Sequence, residues 1–159
     1  MKNTAIGLTP AQTETLTSVL MPLLADESLL YLKTRNAHWN IEGADFHTMH
    51  VYFETLYTEL ETVIDEVAEY IRKIGHYAPA TMKEYLELTH LTEKRIDKND
   101  SLSFIKDLLA DHESIIVFLR ESILKLGKEV ELAYATIDYL ISLMDQHEKT
   151  AWMLRSHLK

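Results

Sequence analysis

The chain has 159 residues, 47% of them hydrophobic, with no cysteine, four glycines, three prolines and a net charge of −9 at neutral pH. That length suits one domain with a substantial core. The lack of thiols excludes a disulfide scaffold and any thiolate metal centre, and the acidic balance disfavours phosphate binding and attracts cations.

Residues Met1 to Pro10 contain no apolar run of the signal-peptide kind, and no stretch of ~18 consecutive apolar residues occurs, so the expectation is a soluble cytoplasmic protein without a membrane partner. A short tail, 1–9, precedes a first helix over 10–40, opened by Thr9, Pro10 and Gln12 as cap, first helical residue and capping-box partner. Pro22 predicts a kink or brief break within it. The turn Asn40-Ile41-Glu42-Gly43 leads into a second helix over 44–75. Its apolar residues Phe46, Met49, Phe53, Leu56, Leu60, Val63, Val67, Ile71 and Ile74 recur at spacings of three and four, and Gly75 is placed to end it.

Thr81 to Glu84 form another capping box, starting a short helix over 81–89. After a polar connection, a third long helix over 101–126 carries Leu102, Ile105, Leu109, Ile116, Leu119 and Ile123 on one face. Gly127 is expected to terminate it, and a last helix follows over 128–156. The fold class is all-α: a four-helix bundle with a short helix between the second and third long helices.

His38, His50, Glu54, Asp65 and Glu69 place five metal-ligand side chains on two helices within 32 residues. Imidazole with several carboxylates is a nitrogen/oxygen set suited to iron, zinc or manganese. His50 and Glu54 are four apart, as are Asp65 and Glu69, so each pair shares one helix face. The two pairs lie 15 residues apart, or about 22 Å along a helix rising 1.5 Å per residue, and cannot meet on one chain. A second copy placed antiparallel across a two-fold axis near residues 59–60 brings His50 and Glu54 of one chain opposite Asp65 and Glu69 of the other. His38 folds back over His50 through the turn. Tyr57 and Glu61, on the same stripe, would line that interface. An ordinary di-metal centre inside one bundle needs a Glu-x-x-His on each of two helices. Only Glu87-Leu88-Thr89-His90 fits, on the short linker helix, where a surface pair is the plainer reading.

The run Lys33-Thr34-Arg35-Asn36-Ala37-His38-Trp39-Asn40, then Gly43 and Phe46, then His50-x-x-x-Glu54 and Asp65-Glu66-x-x-Glu69, closely resembles the Dps family of starved-cell DNA-protection proteins, or mini-ferritins. Asp145-x-x-Glu148-Lys149-x-x-Trp152 adds a match in the last helix. The resemblance implies a ferritin-like bundle assembled as a hollow dodecamer. It implies a ferroxidase site with two iron positions at each two-fold interface, oxidising Fe(II) with hydrogen peroxide in preference to dioxygen and storing ferric mineral inside. By position, His38, His50 and Glu54 would come from one subunit, Asp65 and Glu69 from its mate. Many members carry Asp where this chain has Glu54, which implies a changed second iron position. DNA-binding members often have a Lys/Arg-rich tail; here the amino-terminal tail has only Lys2, so DNA binding is expected to be weak or absent.

Other residues keep two readings. His47 is a polar neighbour of the ligands or a hydrogen-bonding support for them. Trp39 is a packing residue or an electron donor that quenches a radical beside the iron. Glu131 and Asp138 are candidates, by family analogy, for a pore through which iron comes in, or part of a solvated face. His112 falls within an apolar stripe and reads as a hydrogen-bonded core histidine. Against the ferroxidase cage stand two other functions: a nucleoid-compacting DNA binder, and a structural helical oligomer with a vestigial metal site.

Overall fold

The computed structural model describes residues 5–159; Lys2 lies outside them. Five helices follow in order: α1 (Pro10–Asn40), α2 (Phe46–Lys73), α3 (Met82–Leu88), α4 (Ser101–Glu129) and α5 (Tyr134–Ser156). Among the described residues there are no strands. α1 packs on α2 and α4 on α5, and α1 also meets α4 and α3. The Glu42 amide donates to the Asn99 carbonyl at 2.8 Å, tying the α1–α2 turn to the start of α4. α2 and α4 therefore begin at the same end of the bundle, and the segment containing α3 is the long crossover that returns the chain there.

Capping chemistry sets several ends. The Thr9–Gln12 and Thr81–Glu84 boxes are both closed, and the Asp100 side chain accepts from the Ser103 amide. Gly43 takes φ +134°, a conformation closed to side-chain-bearing residues, and lets the chain reverse between α1 and α2.

Some helix ends differ from expectation, and the brief break allowed for at Pro22 is absent. α1 runs unbroken through Pro22. The ring removes one backbone hydrogen bond, but Val19, Leu20, Leu23 and Leu24 beside it are all buried, and their packing holds the helix together. Gly127 does not end α4, which continues to Glu129. Its backbone is not left-handed, and only one residue of a Schellman-type stop is present in the sequence. The last helix accordingly begins at Tyr134, after a short connection anchored by buried Val130 and Ala133, rather than at 128. α3 ends at Leu88, so Glu87 and His90 do not form a helical pair.

By length and composition α1 is apolar enough to cross a membrane, yet most of that stretch is buried inside the bundle. It is the core helix, and Phe53 of α2 meets Phe104 of α4 edge-on across the interior, centroids 6.1 Å apart. Polar groups pin the crossover to this core. The fully buried Asp26 carboxylate accepts from the Thr89 hydroxyl, the His90 amide and the His90 ring Nδ1 at 2.7, 2.7 and 2.9 Å. Lys33, itself buried, bridges Asp107 and Asp111 of α4, and Lys94 of the crossover reaches Asp107 at 3.3 Å.

Candidate metal centre

His38 sits in the last turn of α1 and His50 in the second turn of α2, so the tight reversal at Gly43 faces the two rings. They stack with centroids 3.8 Å apart. His38 Nδ1 lies 2.8 Å from the His50 carbonyl, and His50 Nδ1 lies 2.8 Å from the His38 carbonyl. A carbonyl can only accept, so both Nδ1 atoms carry the proton. Each ring then keeps the Nε2 lone pair, the form in which imidazole binds a metal. His38 is buried and His50 half-buried; Glu54, one turn further along α2, is exposed.

An aromatic cluster backs this half-site. The Tyr57 hydroxyl is 3.4 Å from Glu54 Oε1, and its ring meets His38 edge-on at 5.1 Å. Burial, then the Glu54 charge, raises the Tyr57 phenol above its ordinary value and keeps it a donor. The Arg35 guanidinium lies over the rings of Tyr57, Trp39 and Tyr31 at 4.6, 5.0 and 5.5 Å and donates to the Tyr31 hydroxyl at 2.7 Å. Trp39 itself is exposed, and so is His47.

Asp65 and Glu69 lie toward the far end of the unbroken α2, both exposed, with Glu69 3.7 Å from Lys73. The structure thus brings His38 and His50 together with Glu54 beside them, and leaves Asp65 and Glu69 about 22 Å away along the helix. Among the described residues no three His, Asp or Glu side chains converge to hold a metal within one chain. Glu131 lies exposed in the connection before α5, and Asp138 is exposed on α5.

The arrangement contains polar groups that the sequence reading did not single out. Glu27 of α1, fully buried, accepts at 2.8 Å from His147 Nε2 of α5, and His147 Nδ1 lies 2.8 Å from Nδ1 of His112 on α4. His112 is the hydrogen-bonded core histidine expected of it. The signal for the other two was present: Glu27 and His147 each occupy a core position in stripes Leu20-Leu23-Glu27-Leu30 and Leu140-Leu143-His147-Ala151-Leu154, where an apolar residue is the rule.

A four-helix bundle with a long crossover between its second and third long helices is the architecture of ferritin-like proteins. The ferritin-like domain family model matches residues 19–159. The chain is 38% identical to DNA protection during starvation protein 2 of Bacillus anthracis, over 88% of this chain and 94% of that protein. It is 36% identical to a low temperature-induced protein of Nostoc, over 97% of this chain and 86% of the relative. The crystal structure of the Dps protein of Vibrio cholerae, described as a member of a superfamily of ferritin-like diiron-carboxylate proteins, superposes with a TM-score of 0.90 at 30% identity, covering 100% of this chain and 98% of that one. The chain belongs to the Dps family of ferritin-like proteins.

Proposed function

We propose that this protein is an iron-oxidising and iron-storing mini-ferritin whose ferroxidase sites are shared between two subunits of a dodecameric cage in the cytoplasm. The observation that carries the reading is the incomplete half-site. The stacked rings of His38 and His50 each keep an Nε2 lone pair, with Glu54 one turn beyond His50, while no third ligand from the rest of the described chain converges on them. The ligands needed to complete an iron site, Asp65 and Glu69, stand on the same helix at the distance a two-fold mate would reach. Exposed Trp39, Phe46 and Val51 flank the half-site and give a partner apolar area to cover.

Fe(II) is the substrate and the ferric mineral the stored product. The two imidazoles and the carboxylates of Glu54, Asp65 and Glu69 would hold two Fe(II) ions as nitrogen/oxygen ligands. The crossed Nδ1–carbonyl hydrogen bonds keep both rings oriented and in the metal-binding tautomer. Tyr57 would hold the Glu54 carboxylate in place by hydrogen bonding. Hydrogen peroxide accepts two electrons, one from each Fe(II), so paired oxidation avoids releasing hydroxyl radical; this is the oxidant the reading favours over dioxygen. Membership of the Dps family and the likeness to a diiron-carboxylate protein support it.

Stopped-flow oxidation of Fe(II) by peroxide and by dioxygen tests the reading. Peroxide is expected to be the faster oxidant, and His38→Ala/His50→Ala to abolish the fast phase while the assembly keeps its native mass. Dioxygen equal to or faster than peroxide would remove the oxidant preference. An unchanged fast phase in the double variant would remove the site.

A further inference from the structure

We propose that Glu27, His147 and His112 form an internal proton acceptor that takes up one proton and holds it as a His147 imidazolium paired with Glu27. The three side chains come from α1, α5 and α4 and are 0, 2 and 3% exposed. They form a chain and not a cluster: Glu27 and His112 lie against opposite ring nitrogens of His147. That order does not suit one metal ion, but it suits proton transfer along a line.

Proton counting at the two contacts fixes the states. With Glu27 ionised, His147 Nε2–H donates to it. The His112–His147 contact holds one proton between two Nδ1 atoms. With both rings neutral, His147 already carries its proton on Nε2, so the shared proton belongs to His112. His112 Nε2 is then bare, and it has no hydrogen-bond partner; Glu27 Oε2 has none either. This state leaves a buried negative charge beside a neutral ring, a costly arrangement. A proton added at His112 Nε2, with the shared proton passing from His112 Nδ1 to His147 Nδ1, gives a His147 imidazolium against the Glu27 carboxylate. His112 is again neutral, with its proton now on Nε2. Both hydrogen bonds survive, no heavy-atom bond changes, and the buried charge is paired.

Access is built in. A cavity of about 30 Å³ borders both imidazoles, room for one water. Its lining continues through Glu59, Gln146 and Thr150, of which Glu59 and Gln146 are exposed. Burial and the neighbouring His147 push His112 well below its ordinary value, so the charge does not rest there. The other groups facing the chain do not compete. Tyr139 of α5 is raised by burial and by Glu66 and Glu27, and stays neutral; its hydroxyl is 3.5 Å from Glu66 of α2. Asp26, next to Glu27, is engaged with Thr89 and His90.

Histidine-selective 15N solid-state NMR of the assembled full chain reads each ring directly and needs no iron, so it stands or falls apart from the ferroxidase reading. Lowering the pH across the range in which the assembly stays intact should take His147 from neutral with its proton on Nε2 to a ring carrying both protons, while the proton of neutral His112 moves from Nδ1 to Nε2. Glu27→Gln should lower the midpoint of this change by about 1–3 pH units, the effect of removing an adjacent opposite charge. Two rings unchanged across that range, an imidazolium on His112, or a midpoint indifferent to Glu27→Gln would each overturn the proposal. If Glu27→Gln does not assemble, the His112 proton shift in the wild-type chain still decides it.

Discussion

Subunit mixing gives the sharpest test of a shared iron site. One variant, His38→Ala/His50→Ala, loses the imidazole half; the other, Asp65→Ala/Glu69→Ala, loses the distal carboxylates. Each assembled alone should have no complete site. In a hybrid dimer the two interfaces differ: one joins two damaged halves, while the other joins the intact imidazoles of one chain to the intact carboxylates of its mate. With random association about half of the dimers are hybrids, and each has one good site of two, so about a quarter of the wild-type sites should return. Rescue within a chain is prevented because α2 is one continuous helix, which holds the two ligand pairs about 22 Å apart. The assay is the fast phase of peroxide-driven Fe(II) oxidation in co-refolded mixtures, with hybrid content measured by native mass spectrometry of differently tagged chains. No recovery despite confirmed hybrids would refute the shared site, and activity in either unmixed variant would show that those residues are not its ligands.

Further outcomes follow from other parts of the bundle. Asp26→Ala removes the acceptor of three hydrogen bonds from the crossover, and should destabilise the protein by roughly 2–4 kcal/mol, given about 1.5–3 kcal/mol per bond to a charged group and strong non-additivity; a thermal or denaturant midpoint equal to wild type would contradict that role. Gly127→Ala should raise stability by about 0.5–1 kcal/mol, because the residue is helical and nothing lies within 4 Å of the position its Cβ would take, and a lower midpoint would show that the added methyl group meets a neighbouring subunit. Duplex DNA should not be retarded in a gel shift at neutral pH and ~150 mM salt, since such binding needs a basic phosphate-contacting surface, and the chain carries a net charge of −9; weak association on lowering the pH toward ~6 would fit histidine protonation, whereas a clear shift at neutral pH would reveal a basic surface made by assembly.

The sequence by itself determined the helices and the class of fold. Apolar residues at spacings of three and four mark the core face of α2, and the Thr9 and Thr81 boxes mark two starts, because periodicity and capping are local properties. It also singled out the residues proposed here as ligands and, through the fixed rise of a helix, determined that His50 and Asp65 cannot meet within one chain. Ends that depend on packing were less legible. Pro22 looks like a break, but α1 runs through it, since burial of its neighbours outweighs the local cost of one residue; Gly127 looks like a stop, but its backbone is not left-handed and α4 continues for two exposed residues beyond it. Only the tertiary structure decided how His38 and His50 are held. The crossed hydrogen bonds of His38 and His50 join ring nitrogens to backbone carbonyls 12 residues away, a distance no spacing rule addresses. Likewise Glu27, His112 and His147 each stand out as a polar residue on an apolar stripe, yet nothing along the chain says that they touch. Their contact exists because three helices, separated by up to 120 residues, bury those stripes against one another, and a buried polar group must find its partner wherever the packing puts one.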